Sequence, residues 1–212
     1  MVSADRRPDI DNLKAAYLSV DDLKVAASIL YNAYFNDPLF VDIFENQKEG
    51  YEIRLRSAIR EELNTYYDAA QSIIGLYDND RLLAVTCLTK PDMAFGSGKF
   101  WHWRLKMLVT AGFLGTKQMI VKEEKVRAKI PAKNYHMMSL IGVHSDYQDL
   151  GLGHVLMGAV LGLLLEDESS EGVGMFVTLP KCISFFEDAR FEHVEEIAAG
   201  KIKGKIMFRP RD

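Results

Sequence analysis

Gln148-Asp-Leu-Gly151-Leu-Gly153 stands between a strand-forming run, Tyr135 to Val143, and an unbroken apolar run of helical length, Val155 to Leu165. A loop placed there opens a helix, where unpaired backbone N–H groups and the helix dipole together make an anion site. The chemistry to expect is the holding of a phosphate-bearing ligand. A Walker A loop would continue from glycine into Lys-Ser/Thr, with lysine on the terminal phosphates, but His154-Val155 follows Gly153. A dinucleotide fingerprint would need a third glycine three residues on, and position 156 is leucine.

The elements that must position this loop can be read in order. Leu13 to Leu18 reads as a short strand, and a helix then starts at Ser19 or Asp21 with Leu23, Ala26, Ile29, Leu30, Ala33 and Tyr34 on one stripe. Asp37-Pro38 stops it, because proline disfavours a helical residue before it. A second helix runs from about Lys48 to Ala69, with Leu55, Ile59, Leu63 and Tyr66 on its buried face and Glu52 and Arg56 one turn apart on the other. Ser72–Tyr77 and Arg81–Leu88 flank Asp78-Asn79-Asp80 as a hairpin. Residues 91–133 hold no strand-like run and read as one or two inserted helices. Gly174–Leu179 is a buried strand, Pro180 opens a helix through Ala189, and Phe191–Ile197 with Lys201–Phe208 close the chain as a hairpin.

Composition sets the bounds. The 212 residues, 48% hydrophobic and 26% charged, suit one globular domain over 1–212. Cys87 and Cys182 sit in apolar sequence and read as reduced thiols of a cytoplasmic protein. The apolar runs are too short for a membrane span. A net charge of -4 argues against a general nucleic-acid partner, and no Cys/His cluster has metal-ligand spacing. Phe95, Phe100, Trp101 and Trp103 could form an apolar acceptor pocket, cage a cation, or belong to the core.

Gln-x-x-Gly-x-Gly after a strand ending in Val-His-Ser resembles the coenzyme A pyrophosphate loop of the Gcn5-related N-acetyltransferase (GNAT) superfamily. Phe185-Phe-Glu-Asp-Ala-Arg-Phe191 is similar to that family's late helix, Tyr-Glu-Lys-x-Gly-Phe, with Phe186, Glu187 and Phe191 on its tyrosine, glutamate and phenylalanine. Phe186 stands where many members carry a tyrosine that protonates the leaving thiolate, and Arg190 where glycine is usual. An asparagine common early in that region is absent, Thr178-Leu-Pro-Lys181 standing there. The resemblance implies an α/β (α+β) fold: one domain with a central mixed, mostly antiparallel sheet of six to seven strands, flanked by helices. The helical insertion at 91–133, before the cofactor-binding strand, is this chain's own. It either covers the acceptor side or adds core and a subunit contact, the latter implying a homodimer.

The resemblance further implies acetyl-coenzyme A as acyl donor without a metal. Its pyrophosphate would lie on the amides around Gln148, Asp149, Leu150, Gly151, Leu152, Gly153 and His154. Its pantetheine arm would run along the main chain of Ile141 and Val143, with the Ile141 amide polarising the thioester carbonyl. The expected reaction is direct attack by a primary amine of a small molecule. The alternatives are a protein or peptide amine as acceptor, or a non-catalytic coenzyme A-binding regulatory module, which the absent tyrosine and base would suit. Met137 and Ser139 occupy the positions aligned with the family's usual bases and neither is a base. His136 is the nearest titratable side chain, although period-two geometry turns it away from both unless a bulge intervenes. His144 and His154 adjoin the loop and fit the cofactor or solvent better, and Ser184 is a weak replacement for the tyrosine. With His136 as base, His136→Ala lowers turnover about a hundredfold; an unchanged pH–rate profile in that variant removes the assignment.

Overall fold

The computed structural model describes residue 8, residues 10–91 and residues 112–211 of the chain. Its strands are β1 (Lys14–Tyr17), β2 (Ser72–Asp78), β3 (Arg81–Thr89), β4 (His136–Val143), β5 (Gly172–Val177), β6 (Glu192–Ala199) and β7 (Ile202–Pro210). They form one open mixed sheet in the order β1-β2-β3-β4-β5-β7-β6. Every neighbouring pair is antiparallel except β4 and β5. The fold class expected from sequence is therefore the observed one, with seven strands. Among the described residues no helix is long and apolar enough to cross a membrane.

Helices α1 (Leu23–Tyr34), α2 (Pro38–Ile43) and α3 (Tyr51–Asp68) enclose one hydrophobic cluster, and α5 (Leu152–Glu166) with α6 (Ile183–Asp188) another. The stripe predicted for α3 is the buried one: Leu55, Ile59, Leu63 and Tyr66 are at most 1% exposed, and each aliphatic member contributes roughly 1.5–3 kcal/mol. Its outer face departs from expectation. Arg56 does not pair with Glu52 but lies over the Tyr31 ring, 3.8 Å from its centroid, because α1 packs alongside.

The α1–α2 corner is more structured than the sequence suggests. Asp37-Pro38 ends α1 as expected, yet also opens α2: Pro38 takes the first helical position, and Asp37 Oδ1 accepts from the amides of Leu39 (2.9 Å) and Phe40 (3.3 Å). Beyond α2, Arg54 gathers the turn into α3, donating to the carbonyls of Phe44, Glu45 and Glu49. One donor fork thus satisfies carbonyls that a short helix leaves unpaired.

Of the insertion expected at 91–133, the described part contains one helix, α4 (Gly112–Arg127), which packs against α2 and β6. Phe95, Phe100, Trp101 and Trp103 lie outside the described residues. At the other end, Lys203 Nζ stands 3.7 Å from Glu196 Oε1 across the β6–β7 hairpin, an exposed pair of small energetic weight.

Arg190, where the resemblance led us to expect glycine, has φ 63°, the left-handed region in which a Cβ is disfavoured. Arg190→Gly should therefore raise stability by about 0.5–1 kcal/mol. A urea midpoint that stays level or falls in that variant would show that the arginine's own contacts outweigh the backbone strain.

Candidate functional site

Parallel pairing between β4 and β5 is short: His136, Met137 and Met138 pair with Val173, Gly174 and Met175, and there it ends. Beyond that point β4 stays paired to β3 as far as Val143, and β5 stays paired to β7 as far as Val177. The two strands thus part in a V, each held by its outer neighbour. A register shift opposite Cys87 and Leu88 leaves Ser139 as the extra residue of β4, a bulge at the mouth of the V. Backbone groups facing the V have no strand partner and must find others. The Ile141 amide donates to Tyr34 Oη at 3.1 Å, and the Val143 carbonyl accepts from the Gln148 side chain at 3.2 Å.

The glycine loop lies at the open end of the V. Gly151 is the residue before α5, with φ 81°, and Asp149 also has a positive φ of 60°. Leu152 is buried in the core and anchors the loop, while Gln148, Asp149, Gly151 and His154 remain exposed. Gly153 answers a packing need: a Cβ there would come within 3.0 Å of the Phe185 ring. No side chain caps α5, so its first amides face outward as an anion site would require. The structure therefore brings together the predicted positions Ile141, Val143 and Gln148 to His154. Phe186 is buried, in edge-to-face contact with Phe185 and Phe191, and brings no hydroxyl. Ser184 is exposed on α6.

A pocket of about 190 Å³ opens from the inner side of the V. Its floor is Met137 to Leu140 of β4, its walls include Phe40 of α2, Phe44 just after it, Ile59 of α3 and Phe176 of β5, and α4 closes it with Met119, Lys122 and Glu123. The described helix of the insertion lines this pocket and also adds Val126 to a hydrophobic cluster. Met137 and Ser139, the positions aligned with the family's usual bases, line the pocket, and the Ser139 hydroxyl accepts from Tyr66 Oη at 2.5 Å.

The pocket's carboxylates come from elsewhere, namely Asp37, Glu62, Glu123 and Glu124. Glu123 is committed to Arg127 Nε at 2.8 Å and to Lys122 at 3.4 Å. Asp37 is 3% exposed and follows Tyr34 by one turn. Its Oδ2 accepts from Thr178 Oγ1 at 2.5 Å, which ties the α1–α2 corner to the end of β5 across the V. Burial raises the carboxyl's pKa, and hydrogen bonds from Thr178, Phe40 and Leu39 offset only part of that. Reading the sequence for a helix stop missed Asp37. Its signal was an N-cap carboxylate beside an aromatic stripe, and only its closeness to β5 gives it a second meaning.

His136 lies elsewhere. It is 1% exposed and borders a separate cleft with Gln71, Ser72, Lys90 and Asp167. Five residues of extended chain, roughly 16 Å, separate it from Ile141. Its Nδ1 meets the Thr89 carbonyl at 3.1 Å, and Nε2 stands 3.1 Å from Asp167 Oδ2 without hydrogen-bond geometry. The alternation that turned His136 away from Met137 is thus the observed one, since the bulge comes after both.

No protein-family model matches the chain, and no curated protein matches it. Solved structures do. A Corynebacterium glutamicum protein described as histone acetyltransferase HPA2 and related acetyltransferase superposes with a TM-score of 0.70 at 15% identity, covering 93% of this chain and 96% of that one. The C-terminal condensation domain of Ebony, in complex with beta-alanyl-dopamine, gives 0.66 at 13% identity, covering 93% and 98%. A mosquito arylalkylamine N-acetyltransferase like 5b gives 0.63 at 12% identity, covering 93% and 99%. At these identities the likeness establishes the fold, which is that of the GNAT acetyltransferases.

Burial lowers the pKa of His136 below its ordinary value of about 6.5, more than the Thr89 carbonyl and Asp167 raise it. The folded protein therefore favours the neutral ring, and below about pH 6.5 the unfolded chain takes up the proton first. Stability should be full above pH 7 and fall as pH drops from 6.5 towards 5. In His136→Gln, urea unfolding across that range should show a flatter dependence; an equal slope would contradict the neutral, buried imidazole.

Proposed function

We propose that this chain, with its GNAT fold, is an acetyl-coenzyme A-dependent N-acetyltransferase that acetylates a primary amine carried on a small apolar body. The observation carrying this reading is the parting of β4 and β5 directly beside an uncapped glycine loop. GNAT acetyltransferases draw their acyl group from acetyl-coenzyme A, and the residues present suit it. The amides from Asp149 to Gly153 would take the pyrophosphate, the His154 N–H being engaged by the Gly151 carbonyl, and the main chain of Ile141 and Val143 would take the arm.

The inner pocket supports a small acceptor. Its walls are mostly aliphatic and aromatic, α4 closes it, and its carboxylates suit an ammonium group. A mosquito arylalkylamine N-acetyltransferase and a domain holding beta-alanyl-dopamine are among the matching folds, and both names contain an aryl ring carried on an alkylamine unit. Attack requires the neutral amine, and an alkyl amine is mostly protonated at neutral pH. Asp37 is the base in this reading: it lines the pocket at the corner nearest the V, and its raised pKa brings it towards the working pH. Positioning supplies the rest of the rate, because attack is direct and no covalent enzyme intermediate is needed.

Calorimetry with acetyl-coenzyme A, then thiol release over a panel of amines, tests the assignment. Absence of binding at millimolar donor overturns it, whereas binding with no turnover on any amine leaves a regulatory coenzyme A-binding module. Asp37→Asn keeps the helix cap, asparagine being as good an N-cap as aspartate, but removes the base. It should lower kcat/KM by about 10²–10⁴-fold and abolish an acidic limb lying above the ordinary carboxylate range. An unchanged limb would move the base elsewhere.

A further inference from the structure

The Ile141 amide, expected to polarise the acyl carbonyl directly, is already engaged by Tyr34 Oη at 3.1 Å. This contact is built into the packing. Gly142 lets α1 lie against β4: a Cβ there would stand 3.0 Å from Ala33 Cβ and 3.3 Å from Leu30 Cδ2. The Tyr34 ring is held in turn by Phe40, 4.9 Å between centroids. The Tyr34 oxygen accepts from the amide, so its own O–H remains to donate, and no acceptor for it occurs among the described residues. Tyr34 lines the pocket and its oxygen sits on the Ile141 amide beside the V, one turn before Asp37. Burial pushes its pKa well up, which keeps it a neutral donor.

We propose that Tyr34 is a catalytic residue whose hydroxyl, fixed on the Ile141 amide, donates a hydrogen bond to the acyl carbonyl oxygen and carries the charge developing there. The inference rests on the acetyltransferase reading and replaces the direct amide contact implied by the family with a relay. An amide that donates to a phenol polarises it and strengthens the phenol as a donor in turn. In the reaction the amine lone pair forms the C–N bond and the carbonyl π pair moves onto oxygen, towards Tyr34. The C–S bond then breaks with its electron pair on sulfur, and C=O reforms. The ammonium first gives one proton to Asp37, which frees the lone pair; after attack nitrogen gives up a second proton, the departing thiolate receives it, and Asp37 returns its own to solvent. Tyr34 keeps its proton throughout.

The test uses Tyr34→Phe, which retains the ring and its contact with Phe40, together with infrared difference spectra of acetyl-coenzyme A labelled with carbon-13 at the carbonyl. Wild type should show the bound carbonyl band at lower wavenumber than Tyr34→Phe, while both bind unacylated coenzyme A equally. With an amine acceptor identified by the panel, kcat should fall about a hundredfold, the loss typical of one oxyanion donor, with little change in KM for the donor. An identical band in both proteins overturns the relay. So does a lower band in Tyr34→Phe, which would mean that Tyr34 merely occludes the amide, and so does a kcat within about threefold of wild type. Failure of acetyl-coenzyme A to bind either protein overturns instead the acetyltransferase reading on which the relay stands.

Discussion

A strand that leaves its neighbour must satisfy its backbone some other way, and this molecule is arranged around one such departure. After three paired residues β4 and β5 separate, exposing peptide groups that would be costly to bury unpaired. Local groups answer part of the need: Tyr34 takes the Ile141 amide and Gln148 takes the Val143 carbonyl. Because β3 and β7 hold the outer edges of the two strands, the gap persists without the sheet coming apart. The parting is thus a stable feature with partly committed edges, suited to a ligand that brings its own hydrogen-bonding chain.

The corner between α1 and α2 completes the site from the opposite direction. One carboxylate, Asp37, caps α2, meets Thr178 across the V and lines the pocket. A cap that must accept backbone N–H bonds holds the carboxylate in one rotamer, with its second oxygen left to meet Thr178. The same corner places Tyr34, so that two side chains three positions apart meet the two sides of the V, Tyr34 on the Ile141 amide of β4 and Asp37 on Thr178 at the end of β5.

The alternation of β4 separates two environments. Met137 and Ser139 reach the inner pocket, whereas His136 enters a second cleft near the far end of α5. A titratable side chain on the right strand is therefore poor evidence for a role in the reaction. Direction and distance along the strand decide, and both separate His136 from the V.

Much of this was legible in the sequence because it depends on local chemistry. The strand, loop and helix around Gly151 and Gly153, the buried stripe of α3 and the two hairpins follow from periodicity and turn residues, which act within one element. Arg190 could be marked as a strained position for the same reason, its neighbours forming a recognisable helix end. Asp37 and Tyr34 were visible only as a helix stop and a stripe residue. Their roles depend on α1 lying against Gly142 and on Thr178 coming across the V, contacts between residues more than a hundred positions apart. Sequence determined the elements and the loop for an anionic ligand; tertiary packing decided which carboxylate and which hydroxyl face the gap, because only the assembled sheet brings those distant groups within hydrogen-bonding distance.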